Sequence, residues 1–166
     1  SNTIGLFSET ICLPEICSEN ELVSIIHKLN NDDRSHAILV QMPIPNHLNE
    51  SVIIETVDPL KDVDGFHPEN LGLLTAGRPQ FVPCTPKGIM RILKYYEIDP
   101  SGKHVVVLGR SNIVGRPLSI LMSLKQSYSN ATTTICHSGT IDIPYYTQQA
   151  DILIAAIGVP EFVTSD

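Results

Sequence analysis

The sequence predicts an α/β protein, with a parallel sheet interleaved with helices in its second half and a smaller mixed lobe before it. Three observations carry this. After residue 100, apolar runs of strand length alternate with helical stripes, the pattern of parallel strands joined by crossover helices. The central run, "HVVVLGR", enters Gly109 as a buried strand enters a tight turn. A composition break at "PCTP", Pro83 to Pro86, separates the two halves.

The first helix begins after Ser18, which with Glu21 forms a capping-box pattern. Leu22, Ile25, Ile26 and Leu29 then fall at i, i+3, i+4 and i+7, one apolar stripe at helical period. Asn30-Asn31-Asp32 ends it. "AILVQMPIP" reads as a buried strand over Ala37–Val40, stopped near Gln41 because Pro43 and Pro45 cannot donate to a ladder. A short helix over Glu50–Val57 is stopped by Asp58-Pro59. The stretch "DPLKDVDGFHPENLG" reads as turns without regular structure, yet it is too apolar for a flexible linker.

"PCTPKGIMRILKYY" opens a second helix, with Thr85 as N-cap and Pro86 as the first helical residue. Ile89, Ile92, Leu93 and Tyr96 make its expected buried face. A strand (Val105–Leu108), a helix (Val114–Lys125), a strand (Thr132–Cys136), a short helix and a strand (Ile152–Ile157) follow. No repeat or low-complexity segment interrupts the chain.

Composition narrows the function. The 166 residues fit one domain or two small ones. A net charge of −7 with no Lys/Arg cluster argues against a nucleic-acid surface, where affinity comes largely from cations. No apolar run approaches the roughly 18 residues of a membrane span. Cys12, Cys17, Cys84 and Cys136 form no C-x-x-C pair and no zinc spacing. They read as free thiols in a reducing compartment, with no metal expected. The chain opens on Ser1 without a Met, so a removed targeting segment stays open.

The chemistry concentrates in "HVVVLGRSNIVGRP". A strand, Gly109 and a following helix suit a dinucleotide loop, but Ser111 stands where G-x-G-x-x-G carries its second glycine. The same residues also serve a plain strand–helix turn. Beyond the next strand the sequence is "HSGT", with no carboxylate for a ribose 2′-OH, while Arg110 can fork onto a phosphate. Both features favour NADP over NAD. His137 alone reads more readily as a structural hydrogen-bonding residue than as a catalyst. Gln41 at a strand end is an ordinary polar residue, and Asp64 before Gly65 suits a turn as well as a site.

Together, "VQMPIP", "KDVDGFHPENLG", "PCTPKGI" and "GRSNIVGRP", in that order, closely resemble the bifunctional methylenetetrahydrofolate dehydrogenase/methenyltetrahydrofolate cyclohydrolase family of the bacterial FolD type. The resemblance covers the whole chain. It implies an N-terminal α/β catalytic lobe, residues 1–84, and a Rossmann-like cofactor domain, residues 85–166, joined by a long helix. It implies NADP-dependent oxidation of 5,10-methylenetetrahydrofolate, then hydrolysis to 10-formyltetrahydrofolate, in one-carbon metabolism that feeds purine synthesis. A cytoplasmic homodimer acting on tetrahydrofolate derivatives is expected, without nucleic-acid or membrane partners. In the family the serine-bearing loop is the normal cofactor site.

By motif, Gln41 pairs with and positions a catalytic lysine, and Asp64 binds the polar edge of the pterin. Pro43 stiffens the cleft wall, and Pro83 shapes the junction beneath the folate. Gly109, Arg110, Ser111, Ile113, His137 and Ser138 match the cofactor positions. The family's lysine aligns just upstream of Ser1, and a further strand, a glycine-rich loop and a helix align beyond Asp166. A monofunctional dehydrogenase and a non-catalytic nucleotide- or folate-binding module are the competing readings.

Overall fold

A computed structural model describes residues 5–164. The elements in order are α1 (Glu19–Asn30), α2 (Glu50–Thr56), α3 (Pro68–Thr75), α4 (Cys84–Tyr95), β1 (His104–Leu108), α5 (Gly115–Ser123), β2 (Thr132–Cys136), α6 (Ile143–Thr147) and β3 (Ile152–Ala155). The expected parallel α/β architecture is present.

The three strands form one parallel sheet in the order β2-β1-β3. Register runs from His104↔Thr132 to Leu108↔Cys136 on one side of β1, and from Val105↔Ile152 to Leu108↔Ala155 on the other. Being central, β1 buries both faces, which is why its sequence is continuously apolar. Val105 and Val107 point one way and pack with Leu93 of α4 and Leu118 and Met122 of α5. Val106 and Leu108 point the other way, onto Cys136, Ile143 and Tyr146. Helices therefore cover both faces. The chain leaves β1 toward β2 on one side and returns to β3 on the other, so the strand order reverses at β1. Ligand crevices of such sheets open at the carboxyl end of that strand.

The first part of the chain has its own apolar cluster, built from Ile26, Ile38, Ile53 and Val57. Ser18 caps α1, its oxygen accepting from the Glu21 amide at 3.2 Å. The reciprocal carboxylate bond of a full capping box is absent among the described residues. Instead Glu19 accepts from the Asn49 amide at 2.8 Å, while Asn49 caps α2 through the Ser51 and Val52 amides. The two helix starts are thus tied together. At the other end of α1, the Lys61 ammonium donates to the carbonyls of Leu29, Asn30 and Asp32 at 3.0, 2.7 and 3.1 Å.

Four local expectations are corrected. The strand over Ala37–Val40 reduces to a single parallel bridge, Ile38↔Asp62. A strand exists only through its neighbours, and the one here is a turn that bends away after one residue. The stretch expected to lack regular structure contains α3. Pro68 sits in its first turn and His67 caps it, Nδ1 accepting from the Glu69 amide at 3.1 Å. Helix α4 starts at Cys84, with Pro83 at the cap position and no side-chain cap bond. Pro86 lies two residues deeper than expected, still within the turn whose N–H groups lack intrahelical partners. Finally, Ile92 and Tyr96 are 58% and 67% exposed, and α4 buries Pro86 and Leu93 with Ile89 and Met90 beside them.

Two glycines should respond oppositely to alanine. A Cβ on Gly115 would collide with the Gly109 carbonyl, whereas one on Gly88, inside α4, meets nothing within 4 Å. Gly115→Ala is expected to destabilise by about 1–3 kcal/mol through overpacking. Gly88→Ala is expected to stabilise by about 0.5–1 kcal/mol through helix propensity. Urea denaturation of both variants checks the pair.

Candidate functional site

At the carboxyl end of β1, Gly109 takes φ +113°, and a Cβ there would run into the Ala156 carbonyl at the end of β3. Gly115 lets the start of α5 press against the carbonyl of Gly109 itself. Both glycines thus serve close chain packing that holds the loop shut on the sheet. Ser111 takes over the remaining work. Its Oγ accepts from the Val114 and Gly115 amides at 3.1 and 3.4 Å, and its carbonyl accepts from the Arg116 amide at 3.1 Å. Val114 holds the cap position of α5 without a side-chain bond, and the Ser111 hydroxyl serves the amides there that a glycine would leave to solvent.

The rest of the loop stays open. Among the described residues, the amides of Arg110, Ser111, Asn112 and Ile113 have no protein acceptor. Unsatisfied N–H groups at a helix start form a concavity suited to an anion, reinforced by the helix dipole. Ile113 is half-buried beneath them, and Ser138 is exposed nearby in sequence, just past β2.

Arg110 and His137 meet across the ends of β1 and β2, with Nη1 of the guanidinium 3.2 Å from Nε2 of the ring. The His137 Nδ1 accepts from the Gly139 amide at 3.0 Å. A guanidinium and an amide both only donate, and a neutral imidazole has a single acceptor nitrogen, so the ring cannot accept from Arg110 and Gly139 at once. Among the described residues Arg110 also has no carboxylate partner. An anionic oxygen placed there would satisfy the guanidinium. The residues present fit the phosphates of a dinucleotide carrying an extra ribose phosphate.

A second cluster lies in the first part of the chain. Ile38, Val40, Met42, Phe66, Asp62 and Asp64 line a small cleft beside α2. Asp64 is half-buried, and burial holds its carboxyl above the usual range. The neighbouring charge of Asp62 adds to this, and a hydrogen bond from the Cys84 thiol opposes it. Gly65, at φ +68°, presses this turn onto α4, since a Cβ there would sit 3.2 Å from the buried Pro83 ring.

Gln41 lies beside the cleft rather than in its lining. It is exposed, and its amide nitrogen donates to the Met42 carbonyl at 2.9 Å. Its amide oxygen is left without a partner among the described residues. Pro43 follows a cis peptide bond after Met42 and is exposed. Asp62, Cys84, Met42 and Phe66 escaped the sequence reading. All four lie inside the motifs that carry the family resemblance, Met42 in "VQMPIP", Asp62 and Phe66 in "KDVDGFHPENLG" and Cys84 in "PCTPKGI". No group of three or more His, Cys, Asp or Glu that could hold a metal occurs among the described residues, nor does any helix long and apolar enough to cross a membrane.

This is a parallel α/β protein with an anion-ready loop at the carboxyl end of its central strand. Comparison with known proteins carries the assignment further. The tetrahydrofolate dehydrogenase/cyclohydrolase catalytic domain matches residues 1–64, and the NAD(P)-binding domain of the same family matches residues 83–166. The bifunctional protein FolD of Pelodictyon phaeoclathratiforme is 53% identical over 165 residues, covering 98% of this chain and 56% of that protein. The crystal structure of the FolD methylenetetrahydrofolate dehydrogenase/cyclohydrolase from Campylobacter jejuni superposes with a TM-score of 0.84 at 46% identity, covering 91% of this chain and 52% of that one. The Trypanosoma brucei dehydrogenase–cyclohydrolase, solved with NADP and an inhibitor, gives 0.81 at 34% identity, over 89% of this chain and 50% of that one. The chain belongs to the tetrahydrofolate dehydrogenase/cyclohydrolase family. It spans about half the length of the curated relatives it matches.

The environment of Asp64 has a consequence for stability. Its carboxyl is raised in the folded state, so at a pH between its unfolded and folded values the folded chain binds more proton than the unfolded chain. Stability from this group is fully present below the ordinary carboxylate range and falls as pH rises through the raised value. Asp64→Asn should therefore raise the urea midpoint at pH 7. The gain should vanish below about pH 3.5, where the wild-type carboxyl is neutral in both states.

Proposed function

We propose that the protein carrying this chain oxidises 5,10-methylenetetrahydrofolate with NADP and hydrolyses the methenyl product to 10-formyltetrahydrofolate. The observation that carries this is the conjunction of a half-buried carboxyl in a small apolar cleft with an arginine that has no carboxylate partner at the sheet's carboxyl edge. Family membership supplies the reaction class.

The cofactor, when bound, accepts the hydride that leaves the methylene carbon. The residues of this chain bind and orient. The free amides of Arg110 to Ile113 and the capped start of α5 would hold the pyrophosphate, backed by Gly109 and Ser111. Arg110 and His137 would share the 2′-phosphate, with Ser138 at its edge. Asp64, ionised, would accept two N–H bonds from the aminopyrimidinone edge of the pterin. Burial that raises its carboxyl also keeps those two bonds out of competition with water. In the second step water adds to the amidinium carbon, the ring opens and a proton is released.

A lysine paired with Gln41 is the proposed proton-transfer group. The free amide oxygen of Gln41 supports this, as an acceptor for an ammonium. Pro43 and Pro83 shape the folate cleft in this reading, and the chain divides near residue 84 into folate and cofactor parts. We assign the protein to the cytoplasm as a homodimer. The four free cysteines, two of them buried, suit a reducing compartment.

The complete gene product is expected to generate NADPH from methylenetetrahydrofolate and also to hydrolyse methenyltetrahydrofolate, both followed by absorbance. Loss of both activities would sink the reading, and dehydrogenation alone would point to a monofunctional enzyme. Arg110→Ala should raise the Michaelis constant for NADP about ten- to hundredfold, the value of a hydrogen bond between charged groups. The constant for NAD should change little. Equal losses with both cofactors would place Arg110 on the pyrophosphate instead.

A further inference from the structure

We propose that Asp62 is a positioning residue for Asp64, its buried carboxylate fixing the turn that presents Asp64 to the folate ring. This deepens the reading of Asp64 given above and rests on it.

Asp62 is 6% exposed and is the only buried ionisable acid among the described residues. No Lys, Arg or His pairs with it. It is held instead by three N–H donors. Oδ1 accepts from the Gly65 amide at 3.0 Å, and Oδ2 accepts from the His67 amide at 2.9 Å and Asn70 Nδ2 at 2.8 Å. Both carboxyl oxygens are thus occupied as acceptors, by donors from three different residues. The two amides it takes follow Asp64 by one and three residues, so they fix the path of the chain just beyond it.

Asn70 exists in this arrangement for Asp62. It is 1% exposed, and both N–H groups of its amide are used, one on Asp62 and one on the Pro59 carbonyl at 3.0 Å. Its own Oδ1 has no partner. Rotating the amide would place that oxygen against two acceptors, so the orientation is fixed. A buried acceptor left unmade costs stability, and the structure carries it to hold one carboxylate in place.

Asp62 also reaches the Gln41 segment. It bridges Ile38, whose amide donates to the Lys61 carbonyl at 2.8 Å, three residues before Gln41. Its charge acts on Asp64 as well, adding to burial in holding that carboxyl up. The Cys84 thiol is the other titratable group facing Asp64, from α4, and it acts in the opposite direction. The remaining cleft lining is apolar.

The test compares Asp62→Asn, Asn70→Ala and Asp64→Asn in the complete gene product. It reads Michaelis constants for methylenetetrahydrofolate and NADP across pH, and calorimetric binding of folic acid without turnover. Asp62→Asn removes the charge and turns one acceptor into a donor. It should weaken folate binding by about tenfold or more at neutral pH and leave the NADP constant within twofold. The acid limb of folate binding should move to lower pH, because Asp64 ionises more readily beside a neutral neighbour. Asn70→Ala keeps the charge, so it should weaken folate binding without moving that limb.

An Asp62→Asn enzyme with wild-type folate binding and an unmoved limb overturns the proposal. If that variant does not fold, Asn70→Ala decides: unchanged folate binding, or equal losses for folate and NADP, overturns it. Folate binding that survives Asp64→Asn shows that the reading of Asp64 itself is wrong, and the proposal falls with it.

Discussion

The Lys61–Asp62 dipeptide is the constraint on which the first part of the molecule depends. Lys61 closes the carboxyl end of α1 by donating to the Leu29 and Asn30 carbonyls of its last turn and to that of Asp32 just beyond. The next residue turns its carboxylate inward and gathers three N–H donors. Asn30 extends the same junction, donating to the Thr56 carbonyl at the end of α2 and accepting from the Asp58 amide. Two helix ends, a bridge to Ile38 and the turn bearing Asp64 therefore meet at one point. An apolar cluster of four buried residues fixes the helices loosely in angle. The polar junction fixes their register, because its hydrogen bonds have lengths and directions that dispersion contacts lack.

The cofactor edge is built on the opposite principle. There the backbone is brought so close that only glycine fits at positions 109 and 115, and one serine hydroxyl satisfies the two amides that this packing strands. The loop is rigid where it meets the sheet and unsatisfied where it faces outward. A usual three-glycine loop leaves backbone open near its second glycine for the pyrophosphate. Here the serine oxygen fills that role internally, and the open amides shift to residues 110–113. The departure from the common motif is thus a relocation of the donors along the loop.

What could be read from sequence follows from how local each cause is. Strand β1 was legible to within one residue because a central parallel strand imposes its own apolar run, and β2, an edge strand of β-branched residues, was legible to the residue. The Ser18 cap was legible because its partner is three residues away. Helix α3 was not, because His67 is an uncommon cap and the Pro and Gly around it argue for turns. The strand expected over Ala37–Val40 failed for a non-local reason, since among the described residues its one bridging partner is Asp62. The candidate site divides in the same way. Arg110, Ser111 and His137 come together because β1 and β2 are adjacent, which alternation implied. The partnership of Asp62 with Asn70 spans a turn and a helix that the pattern hid.

Charge shows the limit of whole-chain properties most clearly. A net charge of −7 would by itself disfavour an anionic ligand. Yet the one ion pair among the described residues, Arg34 with Asp32, lies at the surface and includes neither Arg110 nor the cleft carboxyls. Among the described residues Arg110 is left without a carboxylate partner, its guanidinium 3.2 Å from Nε2 of His137. At the other cluster, two carboxyls sit close together, with Asp62 fully supplied with donors and Asp64 undersupplied. Screening confines such fields to about 8–10 Å in physiological salt. Each site is therefore governed by its own few groups, and a cation-lined edge and an acidic cleft can coexist on one acidic chain. That separation suits a protein proposed to hold a phosphorylated dinucleotide at one place and the N–H-rich edge of a pterin at another.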